Sequence, residues 1–233
     1  MNEREDMFDR ALPLFGEDGL ERIKRARVAL FGVGGVGGAC AEALVRGGIK
    51  RLTITDGDVF TPSNLNRQRF AYADVLGQPK AEVAARELGR IAPDAEVTAI
   101  CEYYKEDAAF DFSAYDFVAD AIDDLPAKIS VIERATRLSV PVVSACGAGN
   151  KLDPTRFRVA DVYSTAVCPL ARALRKLCRE RGIASLPVVY SDEPPAVRTP
   201  SPASASFVPP AAGLVLASYV LLRLAGKIGA PNK

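Results

Sequence analysis

Short, mostly apolar runs alternate along the chain with longer segments in which apolar residues recur every three or four positions. The short runs are typical of buried strands, and the longer spacing is typical of helices with one buried face. The pattern predicts strands over 28–31, 52–55, 97–100, 117–119 and 141–145. It predicts helices over 17–26, 39–45, 80–91, 128–138 and 170–181. Strands and helices therefore alternate over most of the chain.

This alternation predicts an α/β fold, with a Rossmann-like, doubly wound, mostly parallel sheet and helices on both faces. At 233 residues and 48% hydrophobic content, the chain is long enough for a single domain, 1–233, with a substantial core. In such a sheet, ligands bind beyond the carboxyl ends of the strands. Candidate functional residues are therefore expected directly after each strand.

Two later segments depart from the alternation. Residues 192–206 are rich in Pro, Ser and Ala and predict a mobile loop. Residues 211–224 are strongly apolar, but they are fewer than the about 20 needed to span a membrane. Ser218 and Tyr219 also interrupt them. This segment is predicted to be an apolar C-terminal helix, buried in the core or at a subunit interface rather than anchored in a membrane.

Glycines follow the first strand in the spacing G-x-G-x-x-G, with Gly32, Gly34 and Gly37 at the three positions and Gly35 between them. Glycine permits a tight turn and a close approach of phosphate to the main chain, and the next helix offers free N–H donors. Asp56 ends the second strand about 20 residues further on, where an acidic residue meets a ribose hydroxyl. The pattern predicts a nucleotide site and leaves NAD, FAD and ATP open.

Polar residues also gather where the second and fourth predicted strands end. They are Asp56, Asp58, Asn64, Arg67, Gln68 and Lys80 after one strand, and Asp120, Asp123 and Asp124 around the other. Arginine and lysine neutralise phosphate oxygens, and a carboxylate holds Mg²⁺ through oxygen. Lys80 opens a helix, where the macrodipole opposes a cation by about 0.3–1 kcal/mol, so a phosphate-binding role is favoured. The group suits Mg·ATP.

Composition removes several kinds of chemistry. The chain has no histidine, which excludes Ser-His-Asp and Cys-His catalysis and histidine metal sites. Its five cysteines include no C-x-x-C pair, so neither a disulfide framework nor a cysteine zinc site is expected. Lysine and arginine total 30 against 29 acidic residues, so any nucleic-acid contact must rest on a local patch. The first six residues include four charged ones and lack an apolar run, so a cytoplasmic protein is expected.

Five segments in combination resemble the signature of the adenylating superfamily, which contains ubiquitin-activating enzymes and the thiamine- and molybdopterin-pathway adenylyltransferases. These segments are 32–38, 56–58, 63–68, 79–81 and 120–123. Within the superfamily, residues 147–155 most resemble the tRNA threonylcarbamoyladenosine dehydratases. The likeness extends over residues 8–225.

The resemblance implies ATP and Mg²⁺ as cofactors and a role for each matching residue. Asp56 would hold the ribose, Asn64, Arg67 and Lys80 the phosphates, and Asp123 the metal ion. The other nucleotide-binding positions would be Gly32, Gly34, Gly35, Gly37, Asp58 and Gln68. Catalysis would fall to Arg67, Lys80 and Asp123.

Arg10 matches an N-terminal arginine that in relatives reaches the ATP of a dimer mate, so the resemblance also implies a homodimer. Relatives that activate a ubiquitin-like C-terminus often carry paired C-x-x-C zinc sites, which this chain lacks, and no zinc is expected. Dedicated ubiquitin-activating enzymes are far longer. Among the members of the superfamily, the chain therefore most resembles those that consist of a compact adenylating core.

Such a core implies ATP-dependent dehydration of threonylcarbamoyladenosine in tRNA, in which the threonyl carboxylate becomes an acyl-adenylate and the carbamoyl group then closes a ring. A carboxylate is already ionised at pH 7, so the reaction needs no histidine base. Two alternatives stay open: an adenylyltransferase for the C-terminus of a ubiquitin-like sulfur-carrier protein, and an NAD-binding oxidoreductase. An accessory sulfur-transfer protein and the choice of tRNAs stay open as well.

The cysteines and one basic helix leave further questions. Cys146 ends a predicted strand and is interpreted as a small core residue rather than a thiol nucleophile, because the ring closure needs no thiol. The roles of Cys168 and Cys178 stay open. The helix over 170–181 carries five cations and is either a solvated face or a contact for RNA phosphate. These cations are Arg172, Arg175, Lys176, Arg179 and Arg181.

Overall fold

Seven strands form one sheet in the computed structural model, which describes residues 7–199 and 201–229. The strands are β1 (Arg27–Phe31), β2 (Arg51–Thr55), β3 (Glu96–Ile100), β4 (Phe117–Asp120), β5 (Val142–Ala145), β6 (Phe157–Asp161) and β7 (Pro187–Ser191). Their order is β3-β2-β1-β4-β5-β7-β6, and all neighbours are parallel except β6 and β7. The strand order reverses between β1 and β4, which is where doubly wound sheets bind ligands.

Helices cover both faces of this sheet. They are α1 (Leu12–Phe15), α2 (Glu17–Arg25), α3 (Gly35–Arg46), α4 (Lys80–Ile91), α5 (Leu125–Arg137), α6 (Pro169–Glu180) and α7 (Val208–Leu224). One buried cluster joins the sheet to α3, α4 and α7, and a second joins it to α5 and α6. The predicted α/β class, with helices on both faces of a mostly parallel sheet, is confirmed.

Helix α7 lies in the core, packed across α3. A Cβ on Gly213 would lie 2.1 Å from the carbonyl oxygen of Val36, so the two helices cross at backbone distance. The predicted apolar helix is therefore present and buried, although it begins at Val208 rather than at residue 211. Within the described ranges, no helix combines the length and the apolar character needed to cross a membrane.

Strands β6 and β7 are the part of the sheet that the apolar pattern did not predict. They pair antiparallel at one edge, and β7 also pairs with β5. Strand β6 is Phe-Arg-Val-Ala-Asp, with a charged residue at its second position, so it lacks the continuous apolar run of the central strands. An edge strand with a partly solvated face does not need that run.

The described residues of the 192–206 segment form no helix or strand, as predicted. They are nevertheless tied to the body of the protein. The Asn150 amide donates to the Ala203 carbonyl, and its carbonyl accepts the Ala196 amide. The Asn150 Oδ1 also accepts the Ala203 amide at 2.7 Å. Asn66 Nδ2 donates to the Ser204 carbonyl at 3.0 Å. The mobility of this segment and the domain limits at 1 and 233 stay predictions, and both limits lie outside the described residues.

Candidate functional site

The turn between β1 and α3 is so tight that two of its positions require glycine. Gly32 has φ +87°, and a Cβ there would lie 2.8 Å from the carbonyl oxygen of Ala121. A Cβ on Gly37 would lie 1.9 Å from the carbonyl oxygen of Gly32, so α3 packs directly onto the turn. The first and last glycines of the motif are thus fixed by backbone packing.

Replacing Gly37 with alanine is expected to lower the free energy of unfolding by about 1–3 kcal/mol, because the new Cβ overpacks a backbone oxygen. Gly89→Ala is the matched control, since a Cβ there meets nothing within 4 Å. It is expected to be neutral or to stabilise by about 0.5–1 kcal/mol. Urea unfolding measures both changes, and a Gly37→Ala protein as stable as the parent contradicts this packing.

The outer side of the same turn is open. Gly34 precedes α3, and the nearest atom to a Cβ built on it is Gln68 Nε2 at 3.8 Å. Gln68 is only 8% exposed, and its Oε1 has no hydrogen-bond partner among the described residues. A buried acceptor left without a partner costs about 1–3 kcal/mol. The free space beside Gly34 lets a nucleotide approach the main chain closely, and Gln68 lies at its edge with a buried acceptor that has no partner in the described part of the chain.

Asp56 lies at the carboxyl end of β2 and is held against the glycine turn. Its Oδ2 accepts the Val33 amide at 2.7 Å, and its Oδ1 accepts the Asp58 amide at 2.9 Å. Burial raises the pKa of Asp56, while the two backbone hydrogen bonds oppose that rise. Two backbone amides therefore fix the orientation of the Asp56 carboxylate, and a ribose-binding acid needs a fixed orientation.

Lys80 is buried at the start of α4, with 5% of its surface exposed. Its Nζ donates to Asp58 Oδ2 at 2.7 Å, and the Tyr103 hydroxyl donates to the other oxygen of Asp58. Burial disfavours the ionised form of Asp58, but the hydrogen bonds from Lys80 and Tyr103 outweigh it and lower the pKa of that carboxyl. A buried lysine at a helix N-terminus thus depends on nearby negative charge.

Arg67 and Asn64 lie in the loop after β2, beside the start of α3. Asn64 is buried and caps its turn, because its Oδ1 accepts the Thr61 amide at 3.0 Å. Arg67 Nη1 donates to the Ser63 carbonyl at 2.8 Å, and its Cγ lies 3.5 Å from a Cβ built on Gly35. The motif therefore presents a guanidinium next to the glycine turn.

Asp123 is exposed on the short turn between β4 and α5. The next residue, Asp124, directly precedes α5 and accepts the Ala127 amide at 2.9 Å, so it serves as the helix cap. No group of three or more metal-binding acidic or sulfur side chains occurs in the part of the chain that is described. A single carboxylate still fits Mg²⁺, which commonly takes one or two protein carboxylates with phosphate oxygens and water.

Arg10 is not brought together with these residues within one chain. It is exposed, two positions after Phe8, which packs under Lys24 and Lys50. Lys50 directly precedes β2, so this N-terminal segment packs near the amino ends of the strands. The glycine turn and Lys80 lie at the opposite, carboxyl ends. The cross-dimer role implied for Arg10 stays a prediction.

The basic helix α6 keeps only part of its charge free. Arg175 turns inward and donates to the Thr165 carbonyl at 2.7 Å, and Arg181 pairs with Glu133. Arg172, Lys176 and Arg179 are exposed, and Lys176 Nζ lies 3.7 Å from Glu180 Oε1.

Sequence reasoning missed the partner of Asp120. Expected at the rim, Asp120 is fully buried and forms a 2.6 Å ion pair with Lys128, which is also fully buried. The signal lay in α5, where Lys128 interrupts the buried residues Ala127 and Ile129. A lysine on a buried helix face needs a fixed anionic partner.

Cys146 and Cys168 meet at the carboxyl end of β5. Hydrogen bonding with the Cys146 side chain is the largest cause that lowers the pKa of Cys168, to about 5; burial opposes it, and the backbone amides of Ala171, Gly147 and Leu170 add to it. The same bond, together with burial, raises the pKa of Cys146. Burial raises the pKa of Cys178 to about 12. Cys146 is buried, and its interpretation as a core residue rather than a thiol nucleophile stays a prediction.

A thiolate at Cys168 is expected at neutral pH. Lowering the pH should remove one thiolate absorbance with a midpoint near pH 5, while circular dichroism reports that the fold persists. Cys168→Ser should abolish this step. Cys146→Ala should move it to higher pH, because the largest cause of the lowered pKa is removed. A native chain without thiolate absorbance at pH 7 contradicts the geometry.

Known proteins are similar to this chain over nearly all of its length. The ThiF family model matches residues 8–233. The chain belongs to the ThiF family. Among its relatives, the tRNA threonylcarbamoyladenosine dehydratase of Bacillus subtilis is 36% identical, over 93% of this chain and 94% of the relative.

Solved structures of a ThiF-like fold agree with the sequence relatives. The E. coli tRNA N6-threonylcarbamoyladenosine dehydratase in complex with AMP matches with a TM-score of 0.89, and its complex with ATP with 0.87. Both are 32% identical and cover 95% of this chain and 94% of theirs. The molybdopterin-synthase adenylyltransferase of Escherichia coli is 33% identical over 72% of this chain and 66% of its own length. The likeness to the dehydratases is thus the more extensive one.

Proposed function

We propose that the protein is an ATP-dependent tRNA threonylcarbamoyladenosine dehydratase that acts through an acyl-adenylate. The observation that carries the proposal is the free space beside Gly34 of the glycine turn, with Lys80 and Arg67 on the same edge of the sheet. Proteins named for this activity match nearly the full length of the chain. The family relationship also favours ATP over NAD as the nucleotide.

The reaction needs alignment and charge stabilisation more than acid–base catalysis. A carboxylate oxygen of the threonyl group attacks the α-phosphorus of ATP, and pyrophosphate leaves. The carbamoyl group of the same nucleoside then attacks the activated carbonyl, and AMP leaves. The nucleoside loses the elements of water. The attacking carboxylate is ionised at pH 7, so a chain without histidine can promote the first step.

Each residue has a task that its surroundings support. Asp56, held by two amides, would accept the ribose hydroxyls. Lys80 and Arg67 would bind the phosphate oxygens and stabilise the charge that develops there. Asn64 would shape the loop that carries Arg67. Bound through Asp123, Mg²⁺ would neutralise the leaving pyrophosphate.

In the proposed reaction Lys80 leaves Asp58 and binds a phosphate of ATP, and this change of partner explains why a lysine is buried here. With Asp58 as its partner, the ammonium is neutralised at 2.7 Å, and Asp58 keeps 47% of its side chain exposed. A phosphate of ATP can compete for this donor without any other group being left buried and charged, because Asp58 already faces solvent. The ion pair with Asp58 therefore keeps the charged Lys80 side chain in the site until the nucleotide binds.

The remaining parts of the proposal concern partners and place. The partner is tRNA carrying threonylcarbamoyladenosine, and the exposed cations Arg172, Lys176 and Arg179 are candidates for its phosphates. The protein would work as a cytoplasmic homodimer in which Arg10 reaches the partner's nucleotide. A sulfur-transfer accessory protein is a further partner to test.

A second candidate function is adenylation of a ubiquitin-like sulfur carrier, which the likeness to a molybdopterin-synthase adenylyltransferase favours. ATP–pyrophosphate exchange separates the two. Exchange stimulated by tRNA bearing threonylcarbamoyladenosine supports the dehydratase, and unmodified tRNA is the control. Exchange stimulated only by a sulfur carrier with a free glycine C-terminus would replace the proposal with the adenylyltransferase.

A further inference from the structure

The buried ion pair of Lys128 and Asp120 lies beneath the proposed site without entering it. Lys128 Nζ donates to Asp120 Oδ2, to Ser144 Oγ at 3.2 Å and to the Ala145 carbonyl at 3.0 Å. Ser144 Oγ also donates to Asp120 Oδ2 at 2.6 Å. Asp120, Lys128 and Ser144 have no exposed surface. Every proton of the ammonium is therefore used inside the protein.

Stability alone is a weak reason for such a network. Desolvation of two buried ions offsets most of their attraction, and apolar residues of similar volume are often as stable or more so. The network is better explained by the elements of the fold that it joins. It fastens α5 to the carboxyl ends of β4 and β5, and β4 borders the reversal in the sheet order.

The carboxylate oxygen of Asp120 that does not contact Lys128 fixes the turn that follows β4. Its Oδ1 accepts the Ile122 amide at 3.0 Å, and Asp124 accepts the Ala127 amide at 2.9 Å. The residues on both sides of Asp123 are thus anchored, while Asp123 itself is exposed. The Ala121 carbonyl in the same turn lies against Gly32. The ion pair therefore links the turn of Asp123 to the glycine turn.

We propose that Lys128 and Asp120 are positioning residues that direct the Asp123 carboxylate toward the Mg²⁺ of bound ATP. Lys128 orients Asp120, Asp120 anchors the Ile122 amide, and the anchored turn fixes the direction of Asp123. This inference rests on the proposed function, which supplies Mg·ATP as the ligand.

Two double variants separate positioning from structural support. Lys128→Met with Asp120→Asn, and Lys128→Met with Asp120→Leu, both remove the two buried charges together, so neither leaves an unpaired ion. Only asparagine retains an oxygen that can accept the Ile122 amide. The readouts are the melting temperature, hydrogen exchange of the Ile122 amide, and the Mg²⁺ concentration that half-saturates binding of a fluorescent ATP analogue.

The leucine variant is expected to exchange the Ile122 amide about tenfold faster and to need about tenfold more Mg²⁺, as loss of one hydrogen bond implies. The asparagine variant is expected to stay within about threefold of the parent in both readouts. Ser144→Ala, which removes one bond to Asp120 and no ion, should raise the Mg²⁺ requirement by a smaller factor and keeps the test available if a double variant does not fold.

An equal Mg²⁺ requirement in the two double variants would overturn the inference, as would a fully protected Ile122 amide in the leucine variant or an unchanged Ser144→Ala protein. Failure of the proposed function looks different. A parent chain that binds Mg·ATP but leaves the tRNA nucleoside unchanged removes the dehydratase activity, and the exchange and binding measurements still decide the role of Lys128 and Asp120.

Discussion

Arg67→Ala is expected to lower kcat/KM for AMP formation by about 10²–10³-fold, the usual cost of removing a preorganised donor from a developing negative charge. Arg67 is placed beside the start of α3 through its bond to the Ser63 carbonyl, and in the proposed reaction it meets the phosphate oxygens. Melting temperature should change little, because among the described residues the Arg67 guanidinium donates to Ser63 and Asn66 of its own loop.

Arg69→Ala is the matched control for that measurement. It removes the same side chain two positions along the same segment, where Arg69 pairs with Glu42 on α3 rather than facing the turn. Its turnover is expected to stay near that of the parent. Arg67→Lys should recover part of the lost rate, because it retains the charge without the planar pair of donors. Near-parental turnover in Arg67→Ala would remove this residue from the site.

Asp123→Ala is expected to lower turnover by about 10²-fold or more, because the metal ion that neutralises the leaving pyrophosphate loses its protein carboxylate. The loss should be deepest at low Mg²⁺ and smaller at high Mg²⁺, since the remaining metal ligands are supplied by phosphate and water. Initial rates of AMP formation across a Mg²⁺ series measure this.

Asp107→Ala, at an exposed carboxylate outside the turn after β4, is the control for a general loss of negative charge. It should leave the Mg²⁺ dependence of the rate unchanged. An Asp123→Ala protein with the parent's Mg²⁺ dependence would show that the metal ion is held elsewhere, and the metal role of this residue would be withdrawn.

The central elements of the fold were predictable because burial on both faces leaves a strong pattern. Helix α4 begins and ends where its apolar spacing placed it, and β1, β2 and β5 carry the apolar runs expected of buried parallel strands. The antiparallel pair β6 and β7 was missed. Its existence depends on pairing between distant segments at an edge of the sheet, and no local spacing reports that pairing.

The residues of the site also fall into those that a local motif predicts and those that depend on tertiary packing. Local motifs indicated the glycine turn, Asp56, Lys80 and Arg67, because each follows a strand end that the sheet brings to one edge. The burial of Asp120 and its bond to Lys128 could not be predicted from the sequence, because they depend on how α5 packs over two strands. The thiol pair of Cys146 and Cys168 was hidden for the same reason: the two residues come from segments that meet only in the fold.

The most direct test of the proposed function is the mass of the modified nucleoside after incubation of the purified chain with Mg·ATP and tRNA bearing threonylcarbamoyladenosine. The dehydratase predicts that the nucleoside loses the mass of one water and that one AMP and one pyrophosphate appear for each nucleoside changed. An unchanged nucleoside mass, with no AMP formed although ATP binds, would contradict it.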